Sequence, residues 1–98
     1  MINRIVRLSF KPENVDAFLA VFESSKLLIA NFDGCNGLKL LQDANDKSVF
    51  YTYSLWQTEN DLENYRHSLL FKETWAATKA LFNDKPMAFS TIVNQSVK

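Results

Sequence analysis

The chain contains few of the residues that define the most recognisable protein classes. Its 98 residues include one cysteine, one histidine, two glycines and two prolines. A lone cysteine, Cys35, cannot form an intramolecular disulfide, so a disulfide scaffold and a cysteine-based zinc site are excluded. The formal net charge is zero, and the basic excess of a nucleic-acid-binding module is therefore missing. No segment approaches the roughly 20 uninterrupted apolar residues that cross a bilayer, so we expect no membrane contact.

What the chain has in abundance is aromatic residues: eight Phe, three Tyr and two Trp. Its length fits one domain, which we place over residues 1–98. A domain near this size buries only roughly 60–70% of the surface that its unfolded chain exposes. We therefore predict that part of the aromatic surface lines a pocket or an oligomer interface. The first residues read as a strand rather than a signal peptide, and with the free cysteine they favour a cytoplasmic location.

Hydrophobic spacing predicts the element order β-α-β-β-α-β. The first helix begins near Pro12 and ends near Gly34, which suits a helix C-terminal cap. The second helix begins after Thr58, a suitable N-cap, and bends near His67–Ser68. The predicted strands and helices cover residues 2–10, 11–34, 38–43, 48–57, 59–82 and 87–93, with a turn at 44–47.

This order is the split βαβ arrangement of ferredoxin-like α+β folds, an antiparallel four-stranded sheet with both helices on one face. Every predicted strand carries apolar residues at both parities, so neither face of the sheet is expected to be freely solvated. The helices cover only one of the two faces. We therefore predict a homodimer, packed sheet against sheet as an α+β barrel, because so large an apolar face exceeds what monomers normally expose.

The second half of the chain carries a recognisable series of residues: Trp56, Tyr65-Arg66-His67-Ser68, Phe71-Lys72, Trp75 and Lys79-Ala80-Leu81-Phe82. Together with the element order, this series resembles the antibiotic biosynthesis monooxygenase family over essentially the whole chain. Members of that family are small dimeric α+β barrels, and they include quinol monooxygenases and haem-degrading monooxygenases. The motif is more specific for the family than for the reaction, since one fold hosts many chemistries.

The haem-degrading branch of that family implies three residues that can be compared one by one. Those enzymes use an asparagine early in the first strand, a tryptophan in the helix after the third strand, and an iron-binding histidine ten residues later. Here Asn3, Tyr65 and Trp75 stand at the three positions. An indole cannot coordinate iron as an imidazole does. The comparison therefore argues against haem degradation, and we expect no metal and no cofactor.

The cofactor-independent branch is the better match. It implies oxidation of a small aromatic, quinol- or anthrone-like compound by O2 in a dry aromatic pocket, with a proton acceptor and oxyanion donors. We predict catalytic roles for Asn3, Tyr65 and His67, the last because its unperturbed pKa lies near neutrality. The predicted substrate-binding residues are aromatic or basic: Tyr53, Trp56, Arg66, Phe71 and Trp75.

Each of these residues also has a purely structural interpretation. His67 suits a surface or helix-capping position, Trp75 suits the core, and Asn3 suits a hydrogen bond across the dimer. Arg4 and Arg7 alternate to opposite faces, where we expect ordinary ion pairs. The alternative function is a non-catalytic dimer of the same fold that binds a small ligand or is associated with stress. A cavity between helices and sheet that holds both Asn3 and His67 would favour the enzyme.

Overall fold

The computed structural model describes all 98 residues, Met1–Lys98. Four strands form one antiparallel sheet in the order β2-β3-β1-β4, so the predicted ferredoxin-like α+β fold is confirmed. The elements are β1 (Ile2–Ser9), α1 (Val15–Ala30), β2 (Cys35–Gln42), β3 (Val49–Trp56), α2 (Glu59–Arg66), α3 (Leu69–Lys79) and β4 (Met87–Thr91). None of the helices combines the length and the apolar character needed to cross a membrane.

The first helix is shorter than predicted. A single 3-10 turn, Pro12–Asn14, precedes it, and α1 ends at Ala30 rather than near Gly34. Gly34 instead lies in the turn before β2, with φ at +84°. A side chain there would also collide with Asp61, so the position needs glycine for two separate reasons. The prediction that Gly34 caps the helix is therefore wrong.

The predicted second helix is two helices with a break at the expected bend. The Thr58 side chain accepts a hydrogen bond from the Asp61 amide at 3.1 Å and starts α2. After Arg66 the chain leaves the helix, and Ser68 adopts an extended conformation. The Ser68 hydroxyl then accepts a hydrogen bond from the Phe71 amide at 3.1 Å and starts α3. Because Ser68 is a second N-cap, a new helix begins where a bend in one long helix was expected.

The two faces of the sheet carry different sets of side chains. Because side chains alternate along a strand, Val6 and Leu8 face the helices and Ile5 faces away from them. Leu8 joins Phe10, Phe18 and Phe50 in the buried core. We call the side of the sheet that carries Ile5 the outer face; no helix of the chain covers it.

The aromatic residues divide between the two sides of the sheet. Ten of the thirteen form one connected network of ring contacts on the helix side: Phe10, Phe18, Phe22, Phe32, Phe50, Trp56, Tyr65, Phe71, Trp75 and Phe82. The other three, Tyr51, Tyr53 and Phe89, lie on the outer face by strand register. Phe89 is 51% exposed. The outer face therefore presents aromatic surface that this chain leaves uncovered.

Candidate functional site

A cavity of about 340 Å³ lies between the helices and the inner face of the sheet. Ligand pockets in proteins span roughly 300–1,000 Å³, so this one suits a small ligand. Most of its wall is apolar, and the largest apolar side chains in it are Phe18, Phe22, Phe71 and Trp75. Phe71 and Trp75 stack with ring centroids 5.8 Å apart and planes 12° from parallel. They form a flat aromatic surface on α3, which suits a planar ring.

Tyr65 is one of the residues that line this cavity. Its ring stacks on Trp56 at a centroid distance of 4.9 Å and meets Phe32 and Phe71 edge-on. Burial raises the pKa of Tyr65 to about 12, and the nearby Cys35 adds to the shift. Its hydroxyl makes no hydrogen bond within the chain, yet no fully buried side-chain polar atom lacks a partner. The hydroxyl is therefore accessible, protonated at neutral pH and free to donate to a bound molecule.

Two arginines line the same cavity. Arg4 projects from β1 beside Val6 and Leu8, and Arg66 ends α2. An Nη1 of Arg4 donates to the Ser90 hydroxyl at 2.9 Å. Arg66 pairs with Glu63 at 2.7 Å. Burial lowers the pKa of the Arg4 guanidinium, and the positive charge of Arg66 lowers that pKa further.

Trp56 supports the site without lining the cavity. Its side chain is completely buried, and its indole N–H donates to the Ser54 hydroxyl at 2.9 Å. That hydrogen bond satisfies the only polar atom of the indole. Trp56 therefore holds the ring of Tyr65 from behind and does not reach a ligand in the cavity.

The structure places Asn3 and Tyr53 away from the cavity. Both have the parity of Ile5 and lie on the outer face, where the Tyr53 hydroxyl donates to Asn3 Oδ1 at 2.8 Å. The Asn3 amide group in turn donates to the Thr91 carbonyl at 3.4 Å. Asn3 is buried, and these hydrogen bonds satisfy it. Strand alternation therefore separates Asn3 and Tyr53 from the predicted pocket.

His67 also lies outside the cavity. Its side chain is 76% exposed, and Nε2 lies 3.3 Å from the Glu63 carboxylate. The residue occupies the break between α2 and α3, where its backbone N–H caps α2 by donating to the Glu63 carbonyl. The helix therefore ends before the imidazole can turn towards the sheet. Of the eight predicted site residues, the structure brings four to the cavity: Tyr65, Arg66, Phe71 and Trp75.

Arg4 is the cavity residue that the sequence reading missed. We expected an ordinary ion pair, but no carboxylate lies within ion-pairing distance of its guanidinium. The sequence did contain a sign of this position. Arg4 has the same strand parity as Val6 and Leu8, whose side chains face the helices. No Asp, Glu or His lines the cavity, and no three His, Cys, Asp or Glu side chains are placed to share a metal ion.

A family model identifies the family of this chain, and solved structures share its fold. The sequence model described as antibiotic biosynthesis monooxygenase (ABM) matches residues 1–77. No curated protein sequence matches the chain. Among solved structures, one described as an antibiotic biosynthesis monooxygenase superposes with a TM-score of 0.90 at 17% identity, covering 97% of this chain and 100% of the other.

Two further structures show the same fold in other organisms. A conserved protein from Methanosarcina mazei Go1 has a TM-score of 0.88 at 19% identity, covering 92% of this chain and 89% of its own. A Mycobacterium tuberculosis protein has a TM-score of 0.88 at 16% identity, and the match covers 99% of this chain and 98% of the other. At such identities the likeness establishes the shared fold and leaves the chemistry to the residues of the site.

Proposed function

This chain belongs to the antibiotic biosynthesis monooxygenase family, and we propose that it oxidises a small aromatic, quinol- or anthrone-like compound with O2 and without a cofactor. The observation that carries the proposal is the cavity between helices and sheet. Its mostly apolar wall limits the water around a planar ring, and the neutral phenol of Tyr65 is part of the same wall. Such a site gives an electron-rich substrate what it needs to react with O2 directly, which is a dry environment and stabilisation of an oxyanion.

The proposed reaction balances without any further reactant. The ionised substrate gives one electron to O2, and the resulting radical and superoxide combine to form a carbon–oxygen bond. The peroxide takes up a proton, and its O–O bond then breaks. One oxygen atom remains on carbon as a carbonyl, and the other leaves as water together with the two hydrogens that the substrate loses. Tyr65 serves this sequence by donating a hydrogen bond to the oxyanion.

The proton acceptor is the part of the predicted site that the geometry supports least. His67 was predicted for this role, but it lies at the surface, and no carboxylate or imidazole lines the cavity. We infer that the substrate loses its proton to solvent water as it enters. Asn3 lies across the sheet from the cavity, so in this proposal it has no contact with the substrate.

Oxygen consumption tests the proposal. Purified protein is mixed with a panel of quinols and anthrones in an O2 electrode, against the autoxidation rate without protein. Tyr65→Phe removes the donor and keeps the ring, so we expect the enzymatic rate to fall at least roughly ten-fold. Tyr51→Phe removes a hydroxyl from the outer face and is the matched control, with an unchanged rate. The proposed monooxygenase activity would be refuted if the protein raised the rate of O2 consumption above the autoxidation rate for none of these compounds.

His67→Ala separates the proposal from the sequence-based prediction. Because the imidazole lies outside the cavity, we expect this variant to keep most of the oxidation rate. A loss as large as that of Tyr65→Phe would show that the surface imidazole takes part, and the direct loss of the proton to water would then be wrong. If ligands bind but none is oxidised, the chain is a small-ligand-binding protein, the alternative that the sequence also allowed.

A second copy of the chain is the partner that the outer face suits. That face presents Tyr51, Tyr53, Phe89 and the half-exposed Met87, with Arg7 between Tyr51 and Met87, and exposed clusters of large apolar side chains mark interaction surfaces. We propose a homodimer through this face, which is also the assembly that the family resemblance implies. The free, half-buried Cys35 fits a reducing compartment, which supports a cytoplasmic location.

A further inference from the structure

The cavity carries more positive charge than its own side chains neutralise. Arg4 and Arg66 both line it, and Glu63 is the only acidic group paired with either of them. Two guanidinium groups against one carboxylate leave an excess of one positive charge. Arg66 is 44% exposed and Arg4 is half-buried, so both charges stay partly hydrated. An excess of one sign at a cavity nevertheless favours a ligand of the opposite charge over a neutral one.

Both guanidinium groups also have hydrogen-bonding capacity left over. An arginine side chain has five N–H donors. In each of these two, only Nη1 makes a side-chain hydrogen bond, to Ser90 from Arg4 and to Glu63 from Arg66. The remaining donors suit the fork-like recognition of an oxyanion. Ser90 and Glu63 each occupy one donor and leave the others for a ligand.

We propose that the cavity binds its aromatic ligand as an anion, with the charged oxygen between Arg4 and Arg66 and the ring against Phe71 and Trp75. The inference rests on the proposed function for its aromatic ligand and adds the charge of that ligand. The oxyanion is either the ionised hydroxyl that reacts with O2 or a carboxylate elsewhere on the same molecule. In the first case the two positive charges lower the pKa of the bound hydroxyl, whose proton passes to solvent water, so the cavity needs no general base.

Calorimetric binding of matched probes tests this inference without any turnover. 2-Naphthoate and 2-naphthamide share a ring system and differ in charge, and 4-nitrophenol and 4-nitroanisole form the corresponding phenol pair. We expect the anion of at least one pair to bind roughly ten-fold or more tightly than its neutral partner. A preference for naphthoate alone assigns a carboxylate to the substrate. A preference for the nitrophenolate alone, with its colour appearing below the free pKa of the phenol, assigns the reacting hydroxyl.

Three variants connect the preference to the arginines. Arg66→Gln and Arg4→Gln should each remove most of the preference while keeping the neutral probe bound. Lys72→Gln removes the same charge from the exposed surface of α3 and should leave the preference intact. Arg66 is partly exposed, so its variant keeps the test valid even if Arg4→Gln does not fold.

The outcomes separate the inference from the proposed function. Equal binding of the anionic and neutral probes, or a preference that survives in both arginine variants, would overturn the inference and leave the oxidation proposal standing. Absence of binding by every probe would overturn the inference together with the assignment of the cavity as the ligand site. Anion-selective binding without O2 uptake would support the inference and refute the oxidation alone.

Discussion

Alkaline titration should find Tyr65 ionising about two pH units above an ordinary tyrosine. Burial among Trp56, Phe32 and Phe71 raises its pKa to about 12 from 10.0. Since the pKa is raised on folding, the folded state favours the neutral phenol. The resulting stabilisation is complete below about pH 10 and is lost as the pH rises to about 12. Two units correspond to roughly 2–3 kcal/mol of unfolding free energy.

Part of that loss of unfolding free energy should be measurable before the pH reaches about 12. At about pH 11 the unfolded tyrosine is mostly ionised and the folded one is not, so roughly 1.4 kcal/mol should already be lost relative to about pH 8. Urea unfolding of the wild type and Tyr65→Phe at both pH values isolates this difference, because other titrating groups are common to the two proteins. Difference absorbance of tyrosinate follows the same ionisation directly.

Two results would refute the reasoning about Tyr65. One is an absorbance titration in which all three tyrosines ionise together near pH 10. The other is a pair of stability curves, wild type and Tyr65→Phe, that stay parallel up to about pH 11. Either result would mean that the ring is more hydrated than its aromatic contacts indicate, and the neutral donor of the proposed reaction would lose its support.

Three further perturbations follow from the structure. Ser54→Ala leaves the buried N–H of Trp56 without an acceptor and should lower the unfolding free energy by roughly 1–3 kcal/mol; a change under about 0.5 kcal/mol by urea unfolding would contradict the packing described. Gly34→Ala combines a positive φ with a collision against Asp61 and should cost at least about 1 kcal/mol, whereas a variant as stable as the wild type in thermal unfolding would count against both reasons. Phe89→Glu places a charge on the outer face and should convert the proposed dimer to monomer in sedimentation, with unchanged far-UV circular dichroism; a variant that remains a stable dimer would locate the interface elsewhere.

The order of the elements could be predicted because each carries its own local signal. Alternation identified the strands, Thr58 marked the start of α2, and the polar His67–Ser68 pair marked the place where the long helix breaks. The end of α1 was missed because Gly34 is a strong helix-ending residue in general, while here it serves a turn that packs against Asp61. That packing partner lies far along the chain and leaves no local signal.

The site was predicted in part for a similar reason. Phe71 and Trp75 are four residues apart in α3 and so share one face of that helix, while Tyr65 and Arg66 occupy the last turn of α2, next to the break. Asn3 and Tyr53 were assigned by analogy to the pocket, although strand parity places them on the outer face with Ile5. Strand parity alone would have placed Arg4, and not Asn3, among the residues of the cavity. The exposure of His67 depends on the residue at which α2 ends, and element boundaries are the least predictable feature of a sequence.

Because the chain breaks at Ser68, the cavity is lined by two helices that each have their own N-cap. α2 carries the polar groups Tyr65 and Arg66, and α3 carries the flat apolar surface of Phe71 and Trp75. Phe71 contacts the ring of Tyr65 edge-on, whereas Trp75 does not. Substitution of Trp75 can therefore reshape the cavity for a wider or narrower ring without removing a contact of Tyr65. Under the proposed function, a change of ring size could therefore begin at Trp75, while Arg4 on β1 and Arg66 on α2 keep their places.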